Sequence, residues 1–313
     1  MEKFTVKDLN ITYNGKNRKK VYAVDDISFE LKAGESLGII GESGSGKSTM
    51  IHSFLRLLPE KTAAVTGHAY FDDIDLLNCG EKELKDLRWK EIAVVFQKSM
   101  NSLSQIHKIG TQFEDIYRVH YPKARKQEMK EAICNLLEIV NLGPHVYQMY
   151  PFELSGGMQQ RLNIALSLMF HPSLLIMDEA TTALDVITQG QIMDEISEIE
   201  KRFSITRIMI THDLSVVASS CERILVIYAG RLVEYGKKEE ILRKPLHPYT
   251  QGLIQSFPSL YGKKRAVKVN SGNITRSVTD ISGMYFSHHV ADMHRSGALR
   301  YVRSNISWRE IIK

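Results

Sequence analysis

Residues 36–54 read SLGIIGESGSGKSTMIHSF, and this stretch decides the fold. The apolar run SLGII is typical of a buried strand, and the residues from Lys47 onward have the spacing of a helix. Between them, GESGSGKS fits the pattern G-x-x-x-x-G-K-[ST]. Its glycines let the backbone curl so that N–H groups point at phosphate oxygens, and the following helix adds its positive N-terminal end. The sequence predicts that Lys47 reaches the β- and γ-phosphates of a nucleotide and that Ser48 binds Mg²⁺. The residues predicted to contact the nucleotide here are Gly41, Glu42, Ser43, Gly44, Ser45, Gly46, Lys47, Ser48 and Thr49.

A second apolar run ends in two acids. Residues 173–179 read SLLIMDE, which is typical of a buried strand followed by Asp178 and Glu179. An enzyme that hydrolyses a nucleoside triphosphate needs an acid to hold Mg²⁺ and a group to orient water. Together with the glycine-rich loop, this pair predicts that Asp178 holds Mg²⁺ through water and that Glu179 polarises the attacking water.

The pattern of strands and helices along the chain indicates an α/β protein. Residues 3–36 read as strands and turns, and residues 80–170 have mostly helical patterns. Short apolar strands and helices then alternate over residues 173–236, which predicts a parallel sheet covered on both faces. Beyond about residue 237 the periodicity is weaker, so we expect a C-terminal extension there.

The octet LSGGMQQR, Leu154–Arg161, indicates a family. It resembles the signature motif of ABC (ATP-binding cassette) ATPases. Its serine and glycines place N–H groups and a hydroxyl at a helix N-terminus, where they can bind phosphate oxygens as the phosphate loop does. In that family this end faces the γ-phosphate bound by another subunit, so the resemblance implies a dimer with ATP between two cassettes. The residues implied to contact ATP in trans are Ser155, Gly156, Gly157, Gln159 and Asp185.

Further elements of the same family follow in the expected order. Gln97 matches the Q-loop glutamine, which approaches Mg²⁺ and water beside the contact with the permease. Thr182–Asp185, TALD, matches the D-loop that crosses between subunits. His212, at a predicted strand end 33 residues after Glu179, matches the switch histidine that contacts the γ-phosphate. The resemblance therefore implies the catalytic set Lys47, Gln97, Glu179 and His212, and the Mg²⁺ set Ser48, Gln97 and Asp178.

An aromatic residue that stacks on adenine is also implied by the resemblance. Tyr13, in NITYNG, matches its position. Tyr22 remains an alternative, and a tyrosine in a strand is commonly there only for packing.

The resemblance covers roughly residues 3–255 and implies the fold class. We expect a P-loop (RecA-like) α/β core with a parallel sheet, an N-terminal antiparallel β subdomain, and a helical subdomain that carries the signature. The expected boundaries are 1–240 for the nucleotide-binding domain, with the helical subdomain at about 98–165, and 241–313 for the C-terminal extension.

The spacing of the motifs narrows the kind of ABC protein. Lys47 and Ser155 are only 108 residues apart, which leaves no room for the long coiled coil of DNA-organising members. The chain has one cassette, whereas translation factors of this family have two. It has no apolar run of the roughly 20 residues that span a bilayer, so a transporter cassette with separate permeases fits best.

The segment LHPYTQGLIQSFPSL, residues 246–260, indicates a particular class of ABC transporter. It resembles the ATPases of oligopeptide, dipeptide and nickel importers, and HPYT at His247–Thr250 is its most specific part. The resemblance implies a second, distinct ABC ATPase subunit in a heterodimer, two membrane permeases and an extracellular substrate-binding protein. It also implies a peripheral location on the cytoplasmic face of the cell membrane. The cargo would be short peptides or, in some branches, metal chelates or oligosaccharides.

Departures from the pattern concern prolines and cysteines. Ser99 and Gln105 stand where relatives usually have proline near the Q-loop, and Ala180 replaces the proline that usually follows the acidic pair. Many relatives carry a cysteine cluster after the HPYT segment that can bind an iron–sulfur centre, but the last cysteine here is Cys221. No iron–sulfur cluster is expected, and ATP and Mg²⁺ are the expected cofactors.

The charge is unevenly distributed and leaves an alternative open. Residues 261–313 contain 10 Lys/Arg and 3 Asp/Glu, a net charge of +7, whereas residues 1–260 carry −2. A basic tail could meet nucleic acid, anionic lipid or an acidic partner. The alternative function is therefore a non-transport ABC ATPase that acts on nucleic acid through the tail, although the tail lacks a recognisable nucleic-acid-binding module. A regulatory cassette that binds ATP without turnover is a second alternative.

Overall fold

The computed structural model describes residues 2–14, 20–96, 103–181 and 184–256. These residues form two compact units. The loop unit consists of residues 2–31, 37–78 and 212–256, and the signature unit of residues 32–36 and 79–211. In chain order the elements are β1 Glu2–Asn14, β2 Lys20–Lys32, β3 Ser36–Ile40, α1 Lys47–Phe54, β4 Ala63–Phe71, β5 Ile74–Asp75, α2 Glu81–Leu87, β6 Ile92–Val95, α3 Ile109–His120, α4 Lys126–Ile139, two 3-10 turns at Pro144–Gln148 and Pro151–Glu153, α5 Gly156–Leu168, β7 Leu174–Asp178, α6 Val186–Phe203, β8 Thr206–Ile210, α7 Leu214–Ser220, β9 Arg223–Tyr228, β10 Arg231–Lys237, α8 Lys238–Arg243 and α9 Pro248–Ser256.

The loop unit contains the predicted antiparallel β structure. The strands lie in the order β2-β1-β4-β5, and β4 runs antiparallel to both β1 and β5. Phe4 of β1 meets Phe54 of α1 edge to face, with ring centroids 5.0 Å apart and both side chains fully buried. Burial of a phenylalanine side chain contributes about 2–3 kcal/mol. This contact therefore holds α1, which begins at Lys47, against the strands.

The loop unit also contains β3, the strand that leads into the phosphate loop. β3 runs parallel to β9, and β9 pairs antiparallel with β10. Every residue of β3 is buried, as expected for a strand whose apolar residues run without interruption. Gly38 lies directly against Val217 of α7, so that a side chain at this position would collide with the valine.

The signature unit contains three further parallel strands and most of the helices. β7 runs parallel to β6 on one side and to β8 on the other. All residues of β7 and β8 are buried, which matches the apolar runs LLIM and IMI; the buried polar residues of these strands are Asp178, Thr206 and Arg207. Helices α3, α4 and α5 follow β6 in the chain and include the helix of the signature octet. The α/β class, with a parallel-containing sheet and an antiparallel sheet, is thus confirmed.

One detail differs from the sequence interpretation. The mostly helical region 80–170 contains the strand β6, whose four residues IAVV are too few to stand out among helical patterns. Of the residues after 237, the structure describes 238–256, which include α8 and α9 in the loop unit. Within the described ranges, no helix has the length and apolar character needed to cross a membrane.

Candidate functional site

The backbone of the phosphate loop lies so close to other strands that side chains are excluded at two positions. Gly46 is the N-cap of α1 and has φ 102°, a left-handed conformation that favours glycine. A Cβ atom on Gly46 would collide with the Ala23 carbonyl, and one on Gly41 would collide with the Ile227 carbonyl. The two glycines therefore let the loop pass between β2 and β9.

Lys47 is folded back onto the loop that precedes it. Its Nζ donates to the carbonyl oxygens of Gly41 at 2.8 Å and Glu42 at 2.7 Å, and it lies 3.4 Å from Ser45 Oγ. The side chain is only 5% exposed. The ammonium group is thus held inside the loop, at the N-terminal end of α1, where anions are favoured.

Ser48 and Thr49, the next two residues, are half-buried at the start of α1. The backbone of the loop is fixed further by Ser45, whose N–H donates to Glu42 O and whose carbonyl accepts from Gly230 N–H, each at 3.1 Å. Hydroxyl and carboxylate oxygens are the ligands that Mg²⁺ prefers. The hydroxyl of Ser48 in the loop unit and the buried carboxylate of Asp178 in the signature unit are each of a chemistry that fits that ion.

The other predicted residues of the loop unit are Tyr13 and His212. Tyr13 lies near the end of β1, opposite Ala63 of β4, and is half-buried. The alternative, Tyr22, is 48% exposed and precedes Ala23, the residue whose carbonyl lies against Gly46. His212 is exposed just after β8 and just before α7.

The acidic pair lies at the end of β7 in the signature unit. Asp178 is the last residue of the strand and is only 4% exposed. Glu179 has φ 49°, a left-handed conformation that is uncommon for residues other than glycine. Its N–H donates to the Ile210 carbonyl at 2.9 Å. Such strained conformations cluster at functional sites, where the surrounding structure over-determines them.

The signature octet begins α5, as its sequence predicts. Ser155 is the N-cap, and its Oγ accepts the N–H of Met158 at 3.4 Å. Ser155 and Gly156 are exposed, so their backbone at the helix N-terminus is accessible. The Gln159 side-chain amide donates to the carbonyls of Pro151 at 3.1 Å and Leu154 at 3.2 Å. In this structure Gln159 therefore fixes the segment before the signature.

Asp185 is the N-cap of α6. Its Oδ1 accepts the N–H groups of Ile187 at 3.1 Å and Thr188 at 3.0 Å, and its Oδ2 accepts the Thr188 hydroxyl at 2.6 Å. These hydrogen bonds lower the pKa of Asp185 below its ordinary value, and the one from the Thr188 hydroxyl has the largest effect. The carboxylate thus stays charged where the helix dipole favours a negative group.

Sequence reasoning did not identify the link between α5 and α6. Arg161, the last residue of the octet, forms a two-bond ion pair with Glu195 of α6. That hydrogen bonding raises the pKa of Arg161. Gly157 lies so close to Thr188 that an added Cβ would be 2.9 Å from its methyl group. An arginine and a glutamate 34 residues apart have no pattern that would reveal the pair.

The predicted residues divide between the two units. Tyr13, the phosphate loop and His212 belong to the loop unit, and Asp178, Glu179, the signature and Asp185 belong to the signature unit. Gln97 lies outside the described residues, as do Ser99, Thr182, the iron–sulfur position of relatives and the basic tail.

Two family comparisons agree with these features. Residues 24–182 match the family described as ABC transporter. The chain belongs to the ABC transporter family. Residues 233–287 match the C-terminal region of oligopeptide/dipeptide transporters. This ABC transporter chain is therefore an ATPase, and it is an ATP-binding subunit of the family.

Two relatives match most of this ABC transporter chain. It is 41% identical over 271 residues to the oligopeptide transport ATP-binding protein OppD of Escherichia coli (strain K12), covering 86% of this chain and 79% of that one. It is 39% identical over 267 residues to the dipeptide transport ATP-binding protein DppD of Caldanaerobacter subterraneus subsp. tengcongensis, covering 85% and 82%.

Solved structures share the cassette fold. The dimeric ATP-binding cassette MJ0796, bound to ADP and phosphate after hydrolysis, has a TM-score of 0.66 and 28% identity, covering 75% of this chain and 98% of that one. The ADP form of the cassette MJ1267 has a TM-score of 0.67 and 26% identity, covering 82% and 100%.

Proposed function

We propose that this chain hydrolyses ATP to energise a multi-subunit importer of short peptides. The observation that carries the proposal is the presence, in one chain, of a complete ATPase motif set and an HPYT segment. Tyr249 of that segment contacts the phosphate loop at Glu42. Relatives whose names specify oligopeptide or dipeptide transport support the cargo class. Metal chelates or oligosaccharides are the other cargoes that the test below distinguishes.

In the proposed mechanism, Lys47 moves from the Gly41 and Glu42 carbonyls to the phosphate oxygens of ATP. Lys47 then neutralises charge on the phosphates, together with the loop N–H groups and the N-terminal end of α1. Ser48, Gln97 and Asp178 would hold Mg²⁺, which neutralises charge on the β- and γ-phosphates when bound.

The hydrolytic step falls to two further residues. Glu179 accepts a hydrogen bond from the attacking water and aligns it with the γ-phosphate, and His212 contacts that phosphate. Tyr13 stacks on adenine. A second cassette supplies its own signature serine and glycines, together with its equivalents of Gln159 and Asp185, so full turnover requires a dimer.

The proposed division of the chain follows these roles. Residues 1–240 form the nucleotide-binding domain, with a helical subdomain at about 98–165, and residues 241–313 form the C-terminal extension. The partners are a second, distinct ABC ATPase, two permeases and an extracellular binding protein. The chain would lie at the cytoplasmic face of the cell membrane, held there by the permeases.

Uptake by the organism that encodes the chain tests the proposal. Cells in which the chain carries Glu179→Gln should lose the ATP-dependent uptake of labelled peptides of two to five residues, whereas Glu198→Gln cells should keep it. Glu198 is an exposed acid on α6 in the same unit and serves as the matched control. Loss of nickel-chelate or oligosaccharide uptake, with peptide uptake intact, would contradict the peptide assignment.

ATPase activity of the purified chain that rises on addition of DNA or RNA, and falls with salt, would favour the nucleic-acid alternative.

A further inference from the structure

The HPYT segment forms a compact start to α9. His247 precedes the helix, and its Nδ1 accepts the N–H of Tyr249 at 3.1 Å. Pro248 is the first residue of α9, a position where proline's missing N–H has no cost. The His247 carbonyl accepts the N–H of Gln251 at 3.0 Å. The histidine and proline thus fix the direction in which Tyr249 leaves the backbone.

A buried carboxylate on β10 anchors this segment to the loop unit. Glu234 is 7% exposed, and its two oxygens accept the N–H groups of Leu246 at 2.9 Å and His247 at 3.2 Å. Hydrogen bonds to a charged acceptor are stronger than neutral ones. The turn before α9 is therefore fixed to the strand that pairs with β9.

Tyr249 extends from this anchored turn to the phosphate loop. Its ring packs on Tyr228 of β9, with centroids 4.5 Å apart, and the side chain is 8% exposed. Its hydroxyl oxygen accepts the backbone N–H of Glu42 at 3.0 Å. Burial, and then the nearby Glu42 carboxylate, raises the pKa of Tyr249, so the hydroxyl stays neutral at all physiological pH values.

The bonded N–H belongs to the same peptide unit as a carbonyl that Lys47 contacts. The Gly41 carbonyl and the Glu42 N–H are the two ends of one planar peptide group. Lys47 Nζ binds the carbonyl end at 2.8 Å, and Tyr249 binds the N–H end at 3.0 Å. A hydrogen bond at one end of a peptide group strengthens the bond at the other.

We propose that Tyr249 is a positioning residue for the phosphate loop, which fixes the peptide group between Gly41 and Glu42 and so preorganises the loop for ATP. The hydroxyl uses an N–H at the start of the loop and leaves the N–H groups nearer α1 for phosphate oxygens. This inference rests on nucleotide binding by the chain and is independent of the imported cargo.

The expected effect is on affinity for nucleotide. Tyr249→Phe keeps the ring on Tyr228 but removes the acceptor, so the start of the loop gains alternative conformations. One such hydrogen bond corresponds to a change in affinity of roughly fivefold. We expect the Kd for ATP, and equally that for ADP, to rise by roughly this factor, while kcat at saturating ATP changes less than about twofold.

A second tyrosine of the loop unit supplies the matched control. Tyr235 of β10 donates its hydroxyl to the Glu30 carbonyl, away from the phosphate loop. Tyr235→Phe therefore removes one tyrosine hydrogen bond, in which the hydroxyl donates, and should leave the Kd for ATP unchanged. Thermal melts of both variants, with the full chain, measure how much each change costs in stability.

A second variant tests whether the effect passes through the Tyr249 hydroxyl. Glu234→Gln weakens the anchor that holds the HPYT turn, so it should also raise the Kd for ATP. In the Tyr249→Phe chain, which has no hydroxyl to position, Glu234→Gln should have no further effect on the Kd. An unchanged Kd in both single variants would overturn the proposal, as would an equal rise caused by Glu234→Gln with and without the Tyr249 hydroxyl. Should Tyr249→Phe lose its fold, an unchanged Kd in Glu234→Gln would by itself overturn the proposal.

Discussion

Arg161 of the signature helix and Glu195 of α6 form a bidentate ion pair, with Arg161 Nε 2.9 Å and Nη2 2.8 Å from the two carboxylate oxygens. Both side chains are under one-fifth exposed, so solvent screens the pair only partly. Two parallel N–H···O bonds fix orientation as well as distance. The pair therefore sets how α5, which begins at the accessible Ser155–Gly156 backbone, packs on α6.

Arg161→Lys should reduce stability and ATPase activity together, because lysine cannot make the planar two-bond contact. We expect a loss of about 1 kcal/mol in the free energy of unfolding, measured by urea denaturation. Arg125→Lys is the matched control, since Arg125 and Glu128 form an exposed pair with 4.0 Å between Nε and Oε1. Equal effects of the two substitutions would show that the Arg161 pair has no special role.

The cap of α6 predicts a dependence of stability on pH. The folded pKa of Asp185 is lowered, so its carboxylate contributes stability above its ordinary unfolded pKa and loses it as pH falls through the lower folded value. Asp185→Asn keeps an acceptor for the helix N–H groups but cannot titrate. The melting temperature of the wild type should exceed that of Asp185→Asn at pH 7, and the difference should shrink as pH falls below about 4. A difference that stays constant from pH 7 to pH 3 would exclude this contribution.

Glu179→Gln should nearly abolish ATP turnover and keep ATP binding, because glutamine retains the shape of the side chain but is a poor acceptor for the proton of water. A single-turnover assay with excess enzyme measures the chemical step directly, and a fluorescent nucleotide measures binding. Glu198→Gln should change neither. Unimpaired hydrolysis by Glu179→Gln would remove Glu179 from its proposed role.

The sequence predicts the parts of the fold that depend on local pattern. The strand–loop–helix order around Lys47 is specified by an apolar run, glycines at set positions and a helical pattern, and the structure has each of them. The cap Ser155 lies at the helix start that the signature octet indicates. These features need no knowledge of distant contacts.

Features that depend on contacts distant in the chain could not be predicted. The left-handed backbone of Glu179 is fixed by Ile210, and the position of Tyr249 by Glu234 and His247. Four-residue β6 is stabilised by pairing with β7, which outweighs the helical pattern on either side of it. Tertiary pairing, rather than propensity, decides each of these cases.

The most direct test of the account is the ATPase rate of the assembled transporter in membrane vesicles, with its binding protein added and with or without peptides of two to five residues. The account predicts that loaded binding protein raises the rate, that empty binding protein does so less, and that Glu179→Gln in this chain removes the stimulated rate. A rate that does not respond to peptide-loaded binding protein, while the same vesicles respond to a loaded nickel-chelate or oligosaccharide, would contradict it.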